Sequence, residues 1–157
     1  MKYSRLTTEQ FKELHKEFVQ FLSANSITGN DWTELKKTNI EKVENILDLF
    51  SDIVWEKVLS NTNYLENISK NHIYLFSFDN SKIYFIAIYT EILDVDFTNE
   101  IGFNWLRDNL LDDKVKIYNS SKDYSDNILN DKFELIQKGG VITNGNLFKY
   151  FNELIIN

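Results

Sequence analysis

The chain has 157 residues, 43% of them hydrophobic and 15% aromatic, and its formal net charge is −7. That length and apolar content suit one domain, taken over 1–157, with a core of its own. The absence of cysteine excludes disulfides, thiolate catalysis, iron–sulfur clusters and cysteine-ligated zinc.

The only arginines are Arg5 and Arg107, and the lysines are scattered. A net negative field without a basic patch disfavours nucleic acid and anionic membranes as partners, while it suits a basic protein. Met1 to Arg5 leads straight into a charged amphipathic segment with no apolar signal core. The longest apolar run, Ile83 to Tyr89, is too short to cross a bilayer. A cytoplasmic protein is the expectation. There is no proline, which removes polyproline ligands and slow cis-proline steps.

In chain order, Thr7 and Gln10 have capping-box spacing, with Leu6 and Phe11 at staple positions. Phe11, Leu14, Phe18, Phe21 and Leu22 then recur at helical spacing, which predicts a helix over 7–25. A turn at 26–30 precedes a short helix from Asp31 carrying Trp32 and Leu35. Thr38 and Glu41 form a second capping-box pattern that opens a long helix over 39–60. Its apolar sector is centred on Val43, Phe50 and Val54.

The pattern next becomes extended. The segments 72–78 and 82–91 are aromatic and β-branched around Asp79-Asn80-Ser81, a hairpin signal over 72–91. An even loop places Tyr74, Phe76, Phe78, Ile83, Phe85 and Ala87 on one face. The other face then carries Ile73, Leu75, Tyr84, Ile86 and Ile88. Both faces are apolar, so the hairpin is expected to be central and covered on both sides, by its own chain or by a second copy. Tyr64 to Ser69 is a candidate third strand. Thr98 opens a helix over 98–110, and Lys114 to Tyr118 alternates like an edge strand. A polar loop spans 119–130, and a helix over 131–138 stops at a left-handed Gly139-Gly140 cap. The last helix, 144–155, buries Leu147, Phe151, Leu154 and Ile155. Helices, then antiparallel strands, then mixed elements define an α+β fold with a small antiparallel sheet packed by helices.

The candidate chemistry is sparse. His15 shares the stripe of Phe11, Phe18 and Leu22, and His72 opens a strand, so both read as structural histidines. Asp94-Val95-Asp96 is a D-x-D triplet at a strand-to-helix turn, where aspartate also serves as a cap. It lacks the ligand series of a calcium loop. Gly139-Gly140 and Asn144-Gly145 fit neither phosphate-binding glycine pattern. No metal or cofactor is expected.

The long helix carries the most distinctive surface. At about 100° per residue, Glu41, Glu44, Asp48 and Asp52 form one narrow stripe bordered by Glu56. Like charges four apart repel by about 0.2–0.5 kcal/mol per pair, and Lys42 and Lys57 lie off the stripe. Trp55 and Leu59 fall near its end, opposite the expected core side. An acidic strip ending in an indole fits the docking of a basic, amphipathic protein.

Met1-Lys2-Tyr3-x-Arg5-Leu6-Thr7, Phe50-Ser51-Asp52-x-Val54-Trp55-Glu56-x-Val58-Leu59, Trp105 to Leu110, and Lys132-Phe133-x-Leu135-Ile136 with Gly139 to Thr143 are spread over nearly the whole length. Together they resemble a family of short acidic bacterial proteins, a domain of unknown function. The resemblance implies a cytoplasmic bacterial protein and brings no activity, cofactor or site residues.

The function expected is a non-enzymatic adaptor or immunity-like domain that docks a basic partner through Glu41, Glu44, Asp48, Asp52, Trp55 and Glu56. On that reading, reversing Asp48 and Asp52 to lysine abolishes partner capture and hardly moves the melting temperature. The other candidate is a small hydrolytic or metal-assisted enzyme using Asp94, Asp96 and a histidine.

Overall fold

Thr7 accepts a hydrogen bond from the Gln10 amide, and the Gln10 side chain accepts one from the Thr7 amide. This capping box opens α1 (Thr8–Glu13) as the sequence requires. The computed structural model describes residues 1–156. The chain forms two compact units, Met1–Ser60 and the remainder from Asn61.

The first unit is helical: α1, α2 (His15–Ala24), α3 (Gly29–Thr38) and α4 (Ile40–Ser60). The single helix expected over 7–25 is broken at Leu14, where φ −97° and ψ 24° leave helical geometry. Phe11 before the break and Phe18 after it still meet the same residue, Phe50. His15 lies in solvent and not among them. Thr28 and Asp31 form the capping box of α3. Asn39, not Thr38, caps α4, its Oδ1 accepting from the Lys42 amide at 3.1 Å. Thr38 ends α3 instead, its hydroxyl donating to the Glu34 carbonyl.

Phe50 of α4 organises the packing of this unit. The rings of Phe11, Phe18 and Phe21 lie 5.9, 5.0 and 5.4 Å from it, and Phe18 meets Trp32 edge-on. Such aromatic contacts contribute about 0.5–1.5 kcal/mol each beyond area burial. Val43 and Phe50 are buried as expected, but Ile40 and Ile53 are exposed. Leu59, expected away from the core, is fully buried.

The second unit holds β1 (Tyr64–Ile68), β2 (His72–Phe78), β3 (Lys82–Thr90), α5 (Glu100–Asp108), β4 (Val115–Asp123), α6 (Ile128–Gln137), β5 (Val141–Ile142) and α7 (Asn146–Ile156). The strands make one antiparallel five-stranded sheet in the order β4-β3-β2-β1-β5. The fold is α+β, with a small antiparallel sheet packed against helices. Among the described residues, no helix is long and apolar enough to cross a membrane.

The hairpin register follows the parity of its residues. Phe78 pairs with Ile83, Phe76 with Phe85 and Leu75 with Ile86, so the two apolar sets separate as the sequence dictates. The first sheet face carries Ile73, Leu75, Ile86 and Ile88, all essentially inaccessible. They pack with Val95, Phe97, Leu106, Phe148 and Phe151. Phe148 takes the core place assigned to Leu154, which is exposed.

The second face is covered only in part. Leu65, Phe78 and Ile83 are buried against Tyr124, Leu135 and Ile136, whereas Tyr74, Phe76 and Phe85 keep accessible surface. The expectation of complete cover on both sides thus holds for one face alone within this unit.

Several boundaries shift for local chemical reasons. β4 runs to Asp123, so the first five residues of the expected 119–130 loop are strand. Asn99, not Thr98, caps α5, because Thr98 donates through both its amide and its hydroxyl to Asp96. Asn127 opens α6 three residues before the expected start. Gly139, with φ 106°, ends α6 in the left-handed conformation. The Gly139 amide bonds the Ile136 carbonyl and the Gly140 amide bonds that of Leu135, as in a Schellman cap.

Candidate functional site

The acidic stripe of α4 is a surface filled by its own unit. Residues 2–6 lie along it as an extended strap. Asp52 is buried and accepts from the backbone amides of Lys2 at 2.7 Å and Tyr3 at 3.0 Å. Arg5 forks between Glu44 and Asp48, reaching Asp48 at 2.7 Å from Nε and 2.6 Å from a terminal nitrogen. Lys2 pairs with Glu56 at 2.7 Å. The Trp55 indole N–H donates to the Ser4 carbonyl at 3.0 Å, and the Leu6 amide donates to Ser51 Oγ.

These contacts relieve the like-charge repulsion that the sequence left unexplained. The relief comes from Lys2 and Arg5, far away in the chain. The bonds to Glu44 and Asp48 hold the Arg5 guanidinium above its ordinary pKa, and the bond to Glu56 does the same for the Lys2 amine. Among the described residues, Glu44, Asp48, Asp52, Trp55 and Glu56 all contact the strap, and Glu41 does not.

Of the D-x-D triplet, Asp94 is exposed and Asp96 is occupied locally. Both Thr98 donors fall on Asp96 Oδ1, at 2.9 and 2.5 Å, and lower its pKa. Among the described residues, no three His, Asp or Glu side chains are grouped as metal ligands.

A concave site that the sequence reading missed lies on the second sheet face, between the strands and α6. It is a groove of about 720 Å³ floored by Tyr74, Phe76 and Phe85. The register puts these three on the same face: Phe76 is opposite Phe85, and Tyr74 is opposite Ala87 one pair further on. The rings run as a ladder, with Phe76 and Tyr74 centred 5.1 and 5.4 Å from Phe85. His72 extends the row, stacked 4.2 Å from Tyr74.

The rim is polar. Lys122 and Ser120 come from β4, Asn67 from β1, and Asp131, Glu134 and Lys138 from α6 and its cap. Asp131 is spent on Ser125, whose amide and hydroxyl donate to its two oxygens at 2.8 and 2.6 Å. Glu134 accepts from Asn130 at 3.1 Å. α6 is fixed over the sheet by Lys132, whose ammonium is buried, donates to the Thr62 carbonyl at 2.7 Å and sits over the Phe78 ring. Burial lowers the pKa of that amine.

His72 bonds Ser69 Oγ, which is 2.7 Å from Nδ1 and 2.8 Å from Nε2. A hydroxyl equidistant from both ring nitrogens lies on the lone-pair direction of neither, so this is no aligned nucleophile–base pair. The sequence signal for the groove was present in the doubly apolar hairpin. What it lacked was the placement of α6, which leaves part of the aromatic row uncovered.

An α+β chain with an aromatic-floored groove on one sheet face is the class these features define. The chain belongs to a family of unknown function (DUF6495), which it matches over residues 1–156. No curated protein and no solved structure matches it.

Proposed function

We propose that this protein is a non-enzymatic binding domain whose ligand seats in the groove between the sheet and α6. The observation that carries the reading is the half-buried aromatic row Tyr74, Phe76 and Phe85 in a concavity of about 720 Å³. Concave, largely apolar sites with a few polar groups on the rim are where small ligands and apolar side chains lodge. The rim carboxylates already serve the local fold, which favours holding over proton transfer. The test uses N-phenyl-1-naphthylamine, a neutral aromatic dye that fluoresces on desolvation. It should bind one per chain, and Ser120→Trp, which fills the groove from an exposed strand position, should abolish binding with an unchanged circular dichroism melt. Absence of saturable binding, or binding indifferent to Ser120→Trp, ends the proposal.

A second reading keeps partner docking on Glu41, Glu44, Asp48, Asp52, Trp55 and Glu56. Its support is that this face accommodates an extended segment bearing Lys2 and Arg5, the chemistry expected of a basic partner. Such a partner would exchange for residues 2–6. A labelled peptide of sequence Lys-Tyr-Ser-Arg-Leu should then bind in trans to protein lacking those residues, and failure to bind removes this reading.

A further inference from the structure

The charges on the groove rim are not equivalent. Its carboxylates have local donors, with both oxygens of Asp131 held by Ser125 and one oxygen of Glu134 held by Asn130. Its two lysines are uncommitted. Among the described residues, neither the Lys122 nor the Lys138 ammonium forms an ion pair or a side-chain hydrogen bond. Both are exposed, and the register of Lys122 opposite Ile83 puts it on the groove side of the sheet.

The contrast matters in a chain of net charge −7. A ligand arriving at the groove therefore meets hydrogen-bond donors seeking an acceptor, above a floor of aromatic faces. Aromatic floors take planar rings by stacking, and free ammonium groups take carboxylate, sulfonate or phosphate.

We infer that the groove selects a planar aromatic small molecule carrying an anionic group, with the ring over Tyr74 and Phe85 and the anion on a rim ammonium, that of Lys122 or Lys138. The inference rests on the groove being the binding site, as proposed above, and adds the chemical class of its occupant. The volume, about 720 Å³, accommodates a molecule of two to four fused or linked rings.

The test compares two dyes on the intact chain. 8-Anilinonaphthalene-1-sulfonate has the ring system of N-phenyl-1-naphthylamine plus one sulfonate. The sulfonated dye should bind about fivefold tighter or more at low salt, with the preference shrinking as salt is added. Lys122→Ala with Lys138→Ala should erase that preference by weakening the sulfonated dye far more than the neutral one. Both substitutions are at exposed positions, so the melt should not move. Ser120→Trp should abolish both dyes.

If both dyes bind in the groove with equal affinity, or the lysine variant leaves the preference intact, the anionic class is wrong and the groove stands. Should neither dye bind, or Ser120→Trp change nothing, the groove itself is wrong and this inference falls with it. Tighter binding of the cationic dye thioflavin T than of the sulfonated dye, lost in Glu134→Gln, also overturns the anionic class.

Discussion

Replacing Asp52 tests how the acidic helix face is built. Its carboxylate is buried and receives two backbone N–H groups, at 2.7 and 3.0 Å, from Lys2 and Tyr3. Hydrogen bonds to a charged acceptor contribute about 1.5–3 kcal/mol each when buried, and less where water can replace the lost partner. The strap lies at the surface of its unit, so its amides rehydrate in part on truncation. Asp52→Ala should then cost about 2–4 kcal/mol in the stability of the first unit. Asp48→Ala is the internal control. It removes one arm of a half-exposed Arg5 fork whose other arm, to Glu44, survives, and should cost about 0.5–1 kcal/mol. Urea unfolding followed by tryptophan fluorescence in a Trp105→Phe background reads the difference, because the remaining tryptophans, Trp32 and Trp55, both belong to this unit. The midpoint should fall with little change in slope. Equal losses for the two variants, or a loss below about 0.5 kcal/mol for Asp52→Ala, would refute the strap as an anchored element. The same reasoning revises the lysine reversal of Asp48 and Asp52. An exposed stripe would tolerate it, but placing an ammonium against the amides of Lys2 and Tyr3 must lower the melting temperature.

Three further outcomes follow from single contacts. Asn39→Ala should cost about 1 kcal/mol through loss of the α4 cap, measured by thermal melts, while Thr38→Ala should cost much less; the reverse order would place the cap where the sequence pattern put it. Gly102→Ala should be severely destabilising, about 3 kcal/mol or more, because a methyl there overlaps the backbone carbonyl of Asp96, and a near-native melt would disprove that close approach. Glu66 has its pKa raised by burial, with the Thr143 hydrogen bond partly opposing it. The folded state therefore holds the proton longer, and stability falls as pH rises from the unfolded value of 4.5 through the higher folded one. The stability advantage of Glu66→Gln over wild type should grow across that window in urea titrations, and a constant advantage would contradict the burial.

Much of the architecture was legible because side-chain parity is strict in strands. Phe78 opposite Ile83 follows from an even loop, and every residue of both hairpin faces follows from that one pairing. Helix existence was legible from period and caps, but continuity was not. The Leu14 break carries no glycine or proline to announce it. Caps were ambiguous wherever two candidates adjoin, as at Thr38 with Asn39 and Thr98 with Asn99. Periodicity along α4 identified a row of carboxylates that needed counter-charge. It could not say that Lys2 and Arg5 supply it, because an extended segment has no period to match against a helix face. The groove was hidden for a related reason. A doubly apolar hairpin reports that both faces want cover, and only the placement of α6 decides how much of one face stays open.

The sheet order has a kinetic consequence. β1 to β4 pair with their neighbours in sequence, so that meander assembles from short-range closures. β5 joins β1 through Leu65 with Ile142 and Glu66 with Val141, the ends of a loop of about 75 residues. Closing a loop that long costs roughly 4 kcal/mol in chain entropy, and a two-residue strand returns little of it. Amide protons of Val141 to Thr143 should therefore exchange through local opening well before those of β2 and β3, which wait for the whole unit to unfold.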